Sequence, residues 1–306
     1  MSKKLFENII FIFISIIILL IGLLIGSPIK YNCTIVTILT MATYIIYLIG
    51  KLCIYKDTSI IKNKFEFFII LLCVSTCITL IFKKYITLND TVYNIFKYLT
   101  ILPIYIIIRD LCIYNKKYIG YIINVIIISA TIILIFGIDK MSTKWFSQIL
   151  KMLNTVNTID NEHRMISTFG YANSFAVCMA FALFLSIGQY IKKQQLIYGV
   201  TTFLFMIGLI LSYSRATLIL VLFAFILYLI IINSKKQKIN AVEIFILSLT
   251  LSILYSKIFV KLTLEEKNIL LWIITIILCL TVIIVDLGQV FRHIFLRILV
   301  NLSIFA

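Results

Sequence analysis

Between Lys193 and Lys235 the chain carries one charged side chain, Arg215, in the run Leu211-Ser212-Tyr213-Ser214-Arg215-Ala216. An arginine suits phosphate and diphosphate because its planar guanidinium stays protonated and offers two parallel, charge-assisted hydrogen bonds. A second basic cluster lies upstream, where His163 and Arg164 precede Ser167-Thr168-Phe169-Gly170-Tyr171-Ala172-Asn173. His163, Arg164, Thr168 and Asn173 are expected around a helix opening, with Gly170 permitting a bend. The unpaired N–H groups and positive dipole end of that helix also favour an anion. Each cluster has a plainer reading. The Arg215 run could be a snorkelling arginine that marks a helix end, and the upstream cluster a polar helix start capped by Ser167 or Thr168.

The elements that position these residues follow from length. As one helix, the segment Leu196–Ile232 would run roughly 55 Å, against a hydrocarbon core of about 30 Å. It must fold back as a hairpin of two spans, and Tyr213-Ser214-Arg215 is the polar place to turn. Arg215 then sits at a membrane face, where an ionisable residue is a functional-site hypothesis by default.

The whole chain fits a membrane setting. Its 306 residues are 62% hydrophobic with two prolines, and the mean hydropathy is +1.13. No soluble domain hides that much apolar surface, and lipid admits only helices or a closed barrel. The apolar runs are long and do not alternate, which predicts an all-α, polytopic helical bundle forming a single integral membrane domain over 1–306. Ten spans are expected near 9–25, 33–50, 67–82, 94–108, 119–137, 168–188, 196–213, 216–232, 241–256 and 269–286. Pro103 is expected to kink the fourth. The N-terminal apolar segment is too long for a signal peptide and lacks a small-x-small cleavage site, so it reads as a retained span. Near 144–153, Trp145, Phe146, Ile149, Leu150 and Leu153 share one helical face, which predicts a helix lying in the outer interface, anchored by Trp145.

The net charge of +16 reads first as topology, because basic residues collect in cytoplasmic loops. The bias predicts both termini inside, with Lys51, Lys56, Lys64, Arg109, Lys116 and Lys117 among the cytoplasmic residues and Arg164 and Arg215 outside. No nucleic-acid partner is expected. The seven cysteines lie in or beside spans without paired CxxC spacing, and read as free apolar thiols rather than metal ligands.

The two clusters together resemble the O-antigen ligase and polymerase superfamily of bacterial membrane glycosyltransferases. Members typically show an arginine, then a T-F-G-x-x-N stretch opening a span, then about forty residues later a [ST]-x-S-R-[GA] hairpin. Here these are Arg164 with Thr168-Phe169-Gly170-Tyr171-Ala172-Asn173, and Ser212-Tyr213-Ser214-Arg215-Ala216. The resemblance is specific over residues 160–232, and Ala172 stands where many members have proline. It implies transfer or polymerisation of a glycan from an undecaprenyl-diphosphate-linked donor at the exterior face of the bacterial cytoplasmic membrane. It further implies no cofactor or metal, with arginines holding the leaving group. By match, Arg215 and Arg164 are the candidate catalytic residues, and Asn173, Ser214 and His163 the candidate substrate-binding ones.

One departure stands beside the match. Members carry a long exterior loop after the hairpin, with a second arginine and a histidine. This chain offers Ser256–Asn268, with Glu265 and Glu266, and a later His293 expected inside. The expectation is therefore an enzyme with another base, His163 among the candidates, or a shortened, inactive member. A non-catalytic assembly partner and a lipid or solute transporter remain as alternative readings.

Overall fold

The computed structural model of the protein describes residues 2–25, 30–57, 59, 64–81, 92, 95, 100–142, 145–146, 164–169, 171–264 and 269–285. Among them are ten α-helices: α1 (Lys3–Leu20), α2 (Lys30–Gly50), α3 (Lys64–Ile81), α4 (Ile101–Tyr114), α5 (Lys117–Met141), α6 (Ala172–Lys193), α7 (Leu196–Leu211), α8 (Arg215–Ile231), α9 (Lys235–Leu264) and α10 (Ile269–Val285). One helix answers each expected span. Five stretches are long and apolar enough to cross a membrane: Lys3–Leu24, Thr34–Tyr55, Lys117–Met141, Ala172–Lys193 and Lys235–Phe259. The helices α7, α8 and α10 are shorter but equally apolar.

Several boundaries shift by a few residues, and two of the shifts bear on the fold. The fourth helix starts at Ile101, so Pro103 falls in its first turn instead of its middle. The first N–H groups of a helix have no intrahelical acceptor, so a proline there costs no hydrogen bond and forces no kink. The ninth helix runs through Leu264, well past the expected end at 256, and takes most of the presumed loop into regular structure. Of the expected interfacial helix, only Trp145 and Phe146 are described, and both lie in a turn; the remainder falls outside the described residues.

The helices group into two compact units, one drawn from Met1–Ser129 and one from Ala130–Lys151 and Val156–Ala306. In the first, Phe6, Ile10, Ile14 and Ile17 recur at helical spacing along the buried face of α1. They belong to one core with Val36 and Tyr47 of α2 and Ile106, Ile107 and Leu111 of α4. Ile12, Phe13 and Ile16 point outward instead.

In the second unit α7 is the central helix, and Phe203, Phe205, Ile207, Leu209 and Leu211 are fully buried. It packs on α6 and α9. Polar side chains tie α6 to α7 where apolar packing alone gives no register: the Ser186 hydroxyl donates to the Tyr198 carbonyl at 2.8 Å, and the Thr202 hydroxyl donates to Ser186 at 3.0 Å. The outer face of α8 shows the other side of the same logic. Ile219, Phe223, Ile226 and Ile230 are all exposed along it, while Thr217, Val221 and Phe225 face inward. A continuous apolar face of that kind is tolerable only against lipid.

Candidate functional site

The helices of the second unit run so that one end gathers the C-terminus of α7 and the N-termini of α6 and α8. The α7–α8 connection is only Ser212, Tyr213 and Ser214. It closes as a tight turn in which the Ser212 N–H donates to the Gly208 carbonyl and the Tyr213 N–H to the Ile210 carbonyl, both at 3.0 Å. Tyr213 takes a left-handed backbone, φ 52°, which costs a non-glycine residue about 1–2 kcal/mol. The Ser212 hydroxyl returns to the Leu209 carbonyl at 2.6 Å and accepts the Ser214 N–H at 3.3 Å, holding the turn shut.

The segment Arg164–Phe169 is tied to that turn. The Met165 N–H donates to the Leu211 carbonyl at 2.9 Å, an acceptor that the end of α7 leaves unpaired. Arg164 Nε donates to the Ser212 carbonyl at 3.2 Å, and its Nη2 donates to the Asn173 side-chain oxygen at 3.2 Å. One guanidinium therefore bridges the α7–α8 turn and the first turn of α6. Asn173 is positioned in turn, its amide donating to the Tyr171 hydroxyl at 3.3 Å.

Behind Arg164 the chain is clamped to α5. Ser167, a second left-handed residue at φ 50°, donates its hydroxyl to the Ile133 carbonyl. Gly137 leaves the space that Met165 and Ser167 occupy: a Cβ there would stand 3.0 Å from the Met165 sulfur. At Gly208 a Cβ would stand 2.7 Å from Leu134 Cδ1 and 3.1 Å from Met179 Cγ. Close approach of α5, α6 and α7 at this end thus depends on two glycines. Left-handed non-glycine residues concentrate where surrounding structure over-determines the backbone, which is common at binding sites.

Arg215 is the first residue of α8 and is exposed. Its side chain makes no hydrogen bond or ion pair among the described residues. Ser214, at the N-cap, is buried, and its hydroxyl pairs with that of Thr217 at 2.8 Å without capping the helix. Tyr171, at the N-cap of α6, likewise supplies no side-chain cap. Ser167 and Thr168, the capping candidates read from sequence, instead lie in a short 3-10 turn before α6. Two helix N-termini without side-chain caps thus open at one end of the unit, beside Arg164 and Arg215, a setting suited to an anion.

Of the five candidate residues, the structure brings Arg164 and Asn173 into direct contact, and places Ser214 and Arg215 in the turn that Arg164 holds. His163 lies outside the described residues, as do Glu265, Glu266 and His293. Sequence reasoning missed the role of main-chain acceptors, since a carbonyl leaves no mark in residue identity. Among the described residues no group of three or more His, Cys, Asp or Glu could hold a metal ion, and Cys53, Cys77, Cys112, Cys178 and Cys279 are free thiols.

A second polar centre, in the first unit, was also missed. Lys51 follows the end of α2 in a wider, π-helical turn, Lys51–Tyr55, that Lys56 closes with a left-handed φ of 53°. Lys51 is 2% exposed and its ammonium lies 2.8 Å from an Asp110 carboxylate oxygen. Tyr47 donates to the same carboxylate. Arg109 pairs with the other Asp110 oxygen at 2.8 Å and with Glu66 of α3. Lys51 also donates to the Ser59 carbonyl at 2.6 Å. Two buried cations and two buried carboxylates thus neutralise one another where α2, α3 and α4 meet. Such a network fixes geometry because any one partner left alone would be a charge without solvent.

No family model, curated protein or solved structure matches the chain. The protein is a helical chain with several apolar, membrane-length helices.

Proposed function

We propose that this multi-pass protein binds a polyprenyl-diphosphate-linked glycan at the Arg164–Arg215 end of its second unit and acts as an O-antigen ligase-like transferase in cell-envelope polysaccharide assembly. One observation carries the reading: Arg164 is fixed by the Ser212 carbonyl and Asn173, beside the turn from which Arg215 extends without a partner among the described residues. A cation spent on internal structure would be paired. Arg215 has no acidic partner among the described residues and is placed to meet an external anion. The leaving group of such a transfer is a diphosphate, and guanidiniums stabilise the charge that develops on it. Arg164 contributes positive potential and, through its fixed position, the shape of the turn.

A second reading rests on the residues around the turn. Apart from the two arginines, its described polar side chains are serine, threonine, tyrosine and asparagine, and none is a general base near neutral pH. A protein that holds the lipid-linked glycan for a separate transferase would need only the anion site. The test is glycan transfer in membranes from a radiolabelled undecaprenyl-diphosphate-linked donor, comparing wild type with Arg215→Ala at equal expression. Transfer by the wild type and its loss in the variant supports the enzyme. Donor binding without transfer supports the holding protein. Absence of both sinks the proposal.

A further inference from the structure

The chain has two tryptophans, Trp145 and Trp272, and the fold brings them together. Their rings are parallel to within 6° with centroids 6.5 Å apart. Trp272 lies in the first turn of α10, whereas Trp145 follows α5 in a turn with Phe146. That turn is held by a buried carboxylate. Asp139, with no exposed surface, accepts the Trp145 N–H on one oxygen at 2.9 Å and the Phe146 N–H on the other at 3.0 Å.

A tryptophan that only anchors a protein in the interface needs neither a fixed backbone nor a parallel partner. Here a buried carboxyl near a helix C-terminus, where the dipole disfavours negative charge, fixes the backbone that presents one indole. Yet Trp145 remains 62% exposed. Trp145 follows the same end of α5 that meets the segment of Arg164. Phe146 meets Phe136 edge-on at 5.7 Å, the next residue is Gly137, and Gly137 abuts Met165, the neighbour of Arg164.

We propose that Trp145, backed by Trp272, is a stacking subsite for a pyranose ring of the diphosphate-linked glycan. The inference rests on the function proposed above and deepens it by assigning the sugar portion of the donor. A pyranose has one face lined by C–H bonds and a rim of hydroxyls. An exposed indole matches the face while water or polar groups serve the rim. Asp139 is a positioning residue in this arrangement, because it acts through the backbone of Trp145 and Phe146.

The test uses the full chain in nanodiscs, carrying Trp272→Phe so that Trp145 is the one tryptophan and is excited selectively beyond the tyrosine band. Two probes are compared, undecaprenyl diphosphate and the same lipid bearing one N-acetylhexosamine, with binding of each measured separately by radiolabel. The expected result is that both lipids bind, that Arg215→Ala weakens both, and that only the glycosylated lipid shifts Trp145 emission. With Trp272 in place, Trp145→Leu, which keeps an apolar anchor but removes the ring, should weaken the glycosylated lipid about tenfold, the upper end of one aromatic contact. It should leave the bare diphosphate unchanged. Equal Trp145 responses to the two lipids overturn the subsite and leave the diphosphate site standing. If neither lipid binds, the proposed function fails and the subsite with it.

Discussion

Arg164 Nε donates to the carbonyl of Ser212 at 3.2 Å across a sequence separation of 48. That bond joins the two basic clusters of the chain into one structural corner, with Asn173 as the second acceptor for the same guanidinium. The two bonds leave Arg164 from one side of a planar fork, a geometry that an ammonium does not reproduce.

Arg164→Lys is therefore expected to destabilise the corner despite conserving charge. Hydrogen bonds to charged groups contribute about 1.5–3 kcal/mol, and one of the two should be lost. Thermal unfolding in detergent should show a lower midpoint for Arg164→Lys, and little change for Arg215→Lys, whose side chain holds nothing among the described residues. A drop as large for Arg215→Lys would contradict the division of roles.

Gly208 permits α7 to approach α5 and α6, so Gly208→Ala should lower stability by about 1–3 kcal/mol, the range for overpacking a filled interior. The clash is chiefly with Leu134 Cδ1. Trimming that atom in the Gly208→Ala, Leu134→Val double variant should restore part of the loss. A fully additive loss would place the strain elsewhere.

The Lys51–Asp110 pair yields a sharper signature. Asp110→Leu leaves Lys51 and Arg109 buried with one carboxylate fewer, and breaking a buried pair costs about 3–5 kcal/mol. Expression and melting temperature should both fall. Among the described carboxylates Lys51 would keep only the longer contact to Asp57 at 3.7 Å; replacing it by Met in the same chain removes the excess buried charge, and folding should recover substantially. No recovery would mean that the ion pair itself, with its link to the Ser59 carbonyl, supplies the stability.

Orientation can be read directly. The basic residues Lys3, Lys51, Lys56, Lys64 and Lys117 lie at or beside helix ends, and the positive-inside bias predicts a cytoplasmic side for them. In a cysteine-free chain, Arg215→Cys should react with a membrane-impermeant maleimide added to intact cells, and Lys192→Cys should not. The reverse pattern would put the arginine turn inside and remove the exterior glycan reading.

Hydropathy made the helices legible because lipid demands long apolar runs, and each of the ten expected spans contains a helix. Their ends were less so. The extension of α9 to Leu264 passes through Lys257 and Lys261, residues that a hydropathy window counts as loop. The arginine corner was half legible: residue types marked Arg164, Asn173, Ser214 and Arg215, while the bonds to the Leu211 and Ser212 carbonyls depend on how the turn closes. The charge network was not legible at all. Lys51 and Arg109 were counted as loop residues setting topology, and Asp110 and Glu66 attracted no notice. Their pairing spans separations such as 59 residues, which no local periodicity records.

The central claim is that Arg164 and Arg215 form one diphosphate site, and a double-mutant cycle on ligand binding tests it most directly. Radiolabelled undecaprenyl diphosphate would be titrated against purified wild type, Arg164→Ala, Arg215→Ala and the double variant, each confirmed folded. One shared site predicts that each single change weakens binding at least about tenfold, since one charge-assisted bond amounts to roughly 1.5–3 kcal/mol. It also predicts that the double variant loses less than the two losses added. Unchanged affinity in Arg215→Ala, or strictly additive losses, would contradict it.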